Sequence, residues 1–232
     1  FYNVGDASRP SYRLETHYAA VVCFCIHAQQ EAVQCALLTF PHERPVFVRE
    51  YASGIYDVVP YFLCKAVAEL PISLIVWILN LTIVQFLTAL QGNFVLHLLA
   101  LWLLSLTSTA LALVVSCAVA DVKRAVDMGA CLTIPQMFLC GFFVRSAQMP
   151  TLLRWMQYVC NFKYSLDLSM IIEFSDCDGG PGVQERSKVL LSENGIEPAD
   201  WWVYLSVLVA FNVAYRTAAM LSLKASALTI YE

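Results

Sequence analysis

Hydrophobic residues gather into runs long enough to be membrane spans, and polar residues gather between them. From Leu70 to Ala120 there is no Asp, Glu, Lys or Arg, which a water-soluble core has little reason to require. A helix needs about 20 mostly apolar residues to cross about 30 Å of hydrocarbon. Five stretches meet that length: 16–40, 62–90, 94–120, 125–144 and 201–223. QGN at Gln91 to Asn93 marks a turn between the second and third, and DVKR at Asp121 to Arg124 closes the third. Pro135 falls inside the fourth, where neighbouring helices can satisfy the carbonyl it frees. Trp201, Trp202 and Tyr204 open the fifth as an interfacial aromatic belt. The first run carries His17, His27, Gln29, Gln30 and Glu31, so it suits a protein interior or a wet cavity better than lipid.

The pattern predicts an all-α integral membrane protein, with one transmembrane domain over 1–232 and polar connections at 1–15, 41–61 and 145–200. The longest connection holds SDCDGGPG at Ser175 to Gly182, which reads as a turn. The chain opens at Phe1 without an initiating Met or a signal-peptide pattern, so an upstream segment is expected. Basic residues are denser on the face carrying 41–61 and DVKR, which makes that face cytoplasmic.

The composition, 59% hydrophobic and 14% charged, agrees with a bilayer environment. A net charge of −4 without a polybasic block excludes nucleic acid as a partner. No C-x-x-C or H-x-x-x-H pair offers a metal site, and Cys23 and Cys25 point apart on a helix. There is no G-x-S-x-G nucleophile elbow and no P-loop, so no catalytic residue is assigned. Seven of the nine cysteines lie in or beside apolar runs as small hydrophobes. Cys160 and Cys177, near the polar loop, pair with each other, pair with a partner chain, or stay free. His27 and Glu31 are four apart and able to pair, as are Lys65 and Glu69. The His27/Glu31 helix keeps open an ATP-independent channel or secondary transporter.

The connection FPHERPVFVREYASGIY is the most patterned polar stretch. From Pro45, Phe47, Tyr51, Ile55 and Val58 recur on one side, with Arg49, Glu50, Ser53 and Asp57 opposite. This predicts an amphipathic helix of about four turns, begun near Pro45 and stopped by Pro60. Such a helix lies in the membrane interface or docks on a cytosolic partner.

Glu43, Arg44, Phe47, Arg49, Glu50, Gly54 and Tyr56, followed by Tyr61, Lys65, Glu69, Leu70 and Pro71, form a pattern that resembles the membrane domain of G-subfamily ATP-binding cassette exporters. A second block, CGFFVRSAQMPTLLRWMQYVCNFKYS at Cys140 to Ser165, is similar to the segment after that family's fifth span. The resemblance implies an ABC-2 type domain of six spans, of which this chain holds spans two to six. It also implies a cytosolic coupling helix at 41–61 and a long extracellular loop at 145–200, where a Cys177 disulfide is permitted.

By the same resemblance, Glu43, Arg44, Phe47, Arg49, Glu50 and Tyr56 couple the domain to an ATPase, and Phe24, Ile134, Met137 and Phe138 line a substrate cavity. Phe142 and Phe143 fall where the family often has bulky aliphatics, and would form an exit valve. The expected partners are the lipid bilayer, a nucleotide-binding domain that holds ATP and Mg2+, and a second half-transporter, identical or different. The expected substrate is an amphipathic or lipid-like small molecule, and the expected location is a plasma or organelle membrane.

Overall fold

α1 runs without a break from Leu14 to Ala52. At 1.5 Å per residue its 39 residues extend about 58 Å, nearly twice the hydrocarbon thickness of a bilayer. The computed structural model of the chain describes residues 4–6, 12–119, 121–140, 155–175 and 181–229. Beyond α1 the long helices are α2 (Val58–Thr88), α3 (Phe94–Ala118), α4 (Val122–Leu139) and α7 (Trp201–Thr229). Two shorter ones, α5 (Asn161–Phe174) and α6 (Pro181–Glu193), lie between α4 and α7.

Four helices, Leu14–Ala52, Val58–Thr88, Phe94–Ala118 and Pro198–Lys224, are long and apolar enough to cross a membrane. The chain is therefore an all-α integral membrane protein. The remaining expected span, 125–144, is helical from Val122 to Leu139 and carries Lys123, Arg124 and Asp127 in its first turns. Its last residues, 141–144, lie outside the described ones.

The first expected span and the expected amphipathic helix are one element, which corrects the break anticipated near residues 41–45. Pro41 and Pro45 each remove a helical donor, and both sit inside α1. Phe40 and Phe47, seven residues apart and so on one face, are each 1% exposed. They insert into a cluster with Val58, Phe62, Leu113, Cys117 and Leu223, and that burial offsets the lost hydrogen bonds. α1 stops earlier than Pro60: Ser53 N–H and Oγ both donate to the Arg49 carbonyl, at 3.1 and 2.9 Å. Gly54 then adopts φ 71°, a left-handed conformation that favours glycine. Ile55, expected on the same helix side as Phe47 and Tyr51, leaves the helix and is 66% exposed. Pro60 belongs to the first turn of α2, which Asp57 caps by accepting from Val58 N–H at 2.7 Å.

α3 is the centre of the bundle: 61% of its most apolar stretch is buried, against 11% for those of α2 and α7. α2 and α7 thus present most of their apolar surface outward, as lipid-facing helices do. Small and hydroxylated residues on α3 permit close packing, and Trp102 Nε1 donates to Ser73 Oγ on α2 at 2.9 Å.

Within the expected 145–200 loop, α5 is an interior helix. Its 14 residues reach about 21 Å, too short to span. Phe162, Met170 and Phe174 are fully buried. Asn161 Nδ2 donates to Thr107 Oγ1 at 3.2 Å, whereas Ser165 Oγ reaches the Ala100 carbonyl at 3.4 Å and Glu173 reaches Gln91. α5 therefore begins well below the α2–α3 turn, beside the middle of α3, and climbs to that turn.

α4 runs antiparallel to α1, with Gly129 against Leu37 and Val33. A Cβ at Gly129 would overlap the Leu37 side chain, itself 1% exposed. Gly129→Val should therefore lower stability by about 1–3 kcal/mol through overpacking. Thermal unfolding of the purified protein checks this; an unchanged midpoint would mean that the α1–α4 contact adjusts freely.

Candidate functional site

The end of the bundle where α1 passes into α2 concentrates polar contacts around a buried aromatic. Phe47 stacks on Tyr51 with ring centroids 5.9 Å apart, and lies 4.6 Å from Tyr61 and 6.1 Å from Tyr56. Glu43 accepts from Lys65 Nζ and from Tyr61 OH, the latter at 3.3 Å. Glu50 accepts from Tyr56 OH, and this hydrogen bond, with a little burial, pushes the phenol up to about 12. Leu38, His42, Val46, Phe47, Tyr56 and Tyr61 surround an open cleft of about 590 Å³. Arg49 is exposed and Arg44 half-buried.

Six residues singled out for coupling thus lie on one corner of the fold. Glu43, Phe47, Glu50 and Tyr56 brace the α1–α2 junction, Arg44 is half-buried beside it, and Arg49 is exposed. The corner presents carboxylates, guanidinium groups and an apolar floor together, which suits protein docking.

Lys65 and Glu69 do not pair with each other, contrary to the spacing. Lys65 reaches Glu43 on α1, and Glu69 accepts from Arg216 Nη2 on α7 at 2.9 Å. Each ion thereby meets an opposite charge on a neighbouring helix, which also ties α2 to that helix. His27 and Glu31 do face each other within α1, at 3.7 Å between Nε2 and Oε2.

Phe24 is half-buried against the core, whereas Ile134 and Phe138 are 49% and 53% exposed on α4. Gln29 Nε2 donates to Gln136 Oε1, and Gln30 Nε2 lies 3.7 Å from Met137 Sδ. α1 and α4 therefore form one continuous wall with an amide pair inside and apolar residues outside. Phe142, Phe143 and Cys177 lie outside the described residues. Among the described residues no group of three His, Cys, Asp or Glu could hold a metal ion.

At the opposite end, a buried cluster escaped the sequence reading. Glu173 accepts from Gln91 N–H at 2.8 Å, Gly92 N–H at 2.9 Å and His17 Nε2 at 2.7 Å, with His97 Nε2 3.6 Å away. Burial would raise its carboxyl; the His17 hydrogen bond, the facing imidazoles and the Gln91 amide outweigh this and hold Glu173 below the usual carboxylate range. The ionisable His17 in a span was visible, but its partner lay 156 residues away. Lower on α5, burial pushes Asp167 up to about 7, against a lowering by Lys163.

Residues 1–174 match the ABC-2 type transporter family. The chain is 29% identical to Protein white of Drosophila melanogaster over 220 residues, covering 88% of this chain and 31% of that protein. It is 25% identical over 209 residues to ABC transporter G family member 1 of Dictyostelium discoideum, covering 83% of this chain and 26% of that protein. Over 148 residues it is 32% identical to the ABC transporter ATP-binding protein/permease wht-1 of Caenorhabditis elegans, covering 60% and 22%. The chain spans under a third of the length of each of these relatives.

Proposed function

Because the chain belongs to the ABC-2 type transporter family, we propose that it is the substrate-translocating membrane domain of an ATP-driven exporter of amphipathic or lipid-like molecules. The observation that carries this reading is the α1–α2 corner. One helix continues from the α1–α4 wall to the Phe47 cluster, and two carboxylates there, Glu43 and Glu50, are fixed by donors from α2 and the intervening turn. On this reading the corner is cytosolic and seats a nucleotide-binding domain, which holds ATP and Mg2+ and does the hydrolysis. A second membrane half, identical or different, faces the wall bearing Phe24, Ile134, Met137 and Phe138. Large apolar and thioether side chains there suit loosely specified amphipathic substrates. ATP-driven closure of the nucleotide-binding domains moves the corner, and α1 carries that movement to the wall.

Arg49 provides the test, since it is exposed and its side chain makes no ion pair among the described residues. In the full-length protein, Arg49→Ala should reduce substrate-stimulated ATPase activity about tenfold, the size of one lost charge-assisted contact, while leaving the melting temperature unchanged. Wild-type ATPase activity in this variant would remove the coupling role. Substrate flux driven by an ion gradient without ATP would instead favour a secondary transporter using His27 and Glu31, which lie 3.7 Å apart.

A further inference from the structure

α1, α2 and α3 enclose a groove of about 400 Å³ on the side of α1 away from α4, a volume within the usual range for small-molecule sites. It reaches from Glu31 to Glu43, twelve residues or about 18 Å along α1. Ile72, Val76 and Leu106 make its walls apolar. The residues lining it include three carboxylates, Glu31, Glu43 and Glu69, and a single ammonium, Lys65.

Two of these carboxylates are already matched. Glu43 holds Lys65, and Glu69 holds Arg216 at 2.9 Å. Glu31 is the remainder: its side chain is 38% exposed, its Oε2 is turned inward without a hydrogen-bond partner, and His27 Nε2, at 3.7 Å, is beyond hydrogen-bond reach. A buried acceptor left unmatched costs free energy, and a bound cation with N–H donors would satisfy both its charge and its lone pairs.

We propose that this groove binds a membrane-borne amphiphile bearing a protonated amine, with the ammonium at Glu31 and the apolar body along Ile72, Val76 and Leu106. Charge selects the occupant: anionic head groups meet an excess of carboxylates, and neutral ones without an N–H or O–H leave Glu31 Oε2 without a hydrogen-bond donor. The route of entry is the bilayer, because the outer face of α2 is apolar, with Ile75 and Leu79 each 60% exposed. The site is separate from the α1–α4 wall, and its occupancy does not depend on transport or ATP.

The full-length protein in phosphatidylcholine nanodiscs, titrated with radiolabelled oleylamine and with oleyl alcohol at neutral pH without nucleotide, tests this. Oleylamine should bind saturably, at one molecule per chain, and at least about tenfold more tightly than the alcohol. Glu31→Gln should erase that preference while leaving alcohol binding in place. Thr109→Phe, which fills the groove from α3, should abolish binding of both. Equal affinity for amine and alcohol in the wild type, or an undiminished preference in Glu31→Gln, overturns the proposal. If Glu31→Gln does not fold, Thr109→Phe decides: retained amine binding there overturns it. A loss of ATPase coupling in Arg49→Ala has no bearing on these outcomes, so the two readings fail separately.

Discussion

Glu173→Ala should destabilise the purified protein by about 3–5 kcal/mol, the range for removing one partner from a buried ionic cluster. The carboxylate accepts from two backbone amides of the α2–α3 turn and from His17 on α1, and His97 lies beside it. Its removal leaves the partly buried Gln91 and Gly92 amides and the fully buried His17 imidazole without their acceptor, and each unmatched buried donor costs free energy. Glu173→Gln should fall between the wild type and Ala, since the amide keeps one acceptor oxygen and turns a new donor toward existing donors. Urea or thermal unfolding in detergent reads the effect, and an Ala variant within about 0.5 kcal/mol of the wild type would mean that the cluster is ornamental.

The same cluster fixes the sign of a pH dependence. Glu173 is held below the ordinary carboxylate value of 4.5, so its contribution is fully present above that value. It is lost as pH falls through the lower native value, because protonation then removes the charge that the donors stabilise. The Ala variant should lack this acid-side loss.

Glu69→Leu should cost about 3–5 kcal/mol for a related reason. It strands Arg216, whose side chain is 16% exposed on a lipid-facing helix and whose Nη1 already lacks a hydrogen-bond partner. Asn212 Oδ1 would remain, accepting from Nε at 3.2 Å, but it carries no charge. The double variant Glu69→Leu/Arg216→Met should recover most of the loss, because apolar residues of similar size can replace a buried pair at little cost. A double-mutant cycle measures the coupling directly. Additive losses from Glu69→Leu and Arg216→Met would mean that the 2.9 Å contact does not persist in the membrane.

Long apolar runs made the spanning helices legible, because a helix facing lipid must be apolar over most of its length. The Phe47 period likewise announced the helical corner, and the resemblance at Glu43 to Tyr56 pointed to the family. Three things stayed hidden for identifiable reasons. Pro41 and Pro45 read as a break, since the burial of Phe40 and Phe47 that outweighs them is a tertiary fact. Lys65 and Glu69 read as a local pair, because spacing reports neighbours within a helix and not Glu43 or Arg216 across helices. α5 was buried in a loop by its Lys163, Asp167 and Glu173, yet Phe162, Leu166, Met170 and Phe174 recur every four residues. Ser165 and Ser169 flank that stripe. That period was the available signal, and the length of 14 residues, too short for a span, masked it.

The continuity of α1 sets a geometric scale. The helix joins the Glu173 cluster through His17 to the aromatic corner through Tyr51, with no flexible linker between. Over about 58 Å, a tilt of about 5° around the midpoint displaces each tip by about 2.5 Å in opposite senses. A sub-helical-turn push on one side of the membrane therefore appears on the other side with equal amplitude and inverted direction. Only bending at Pro41 and Pro45, close to the corner, can dissipate it.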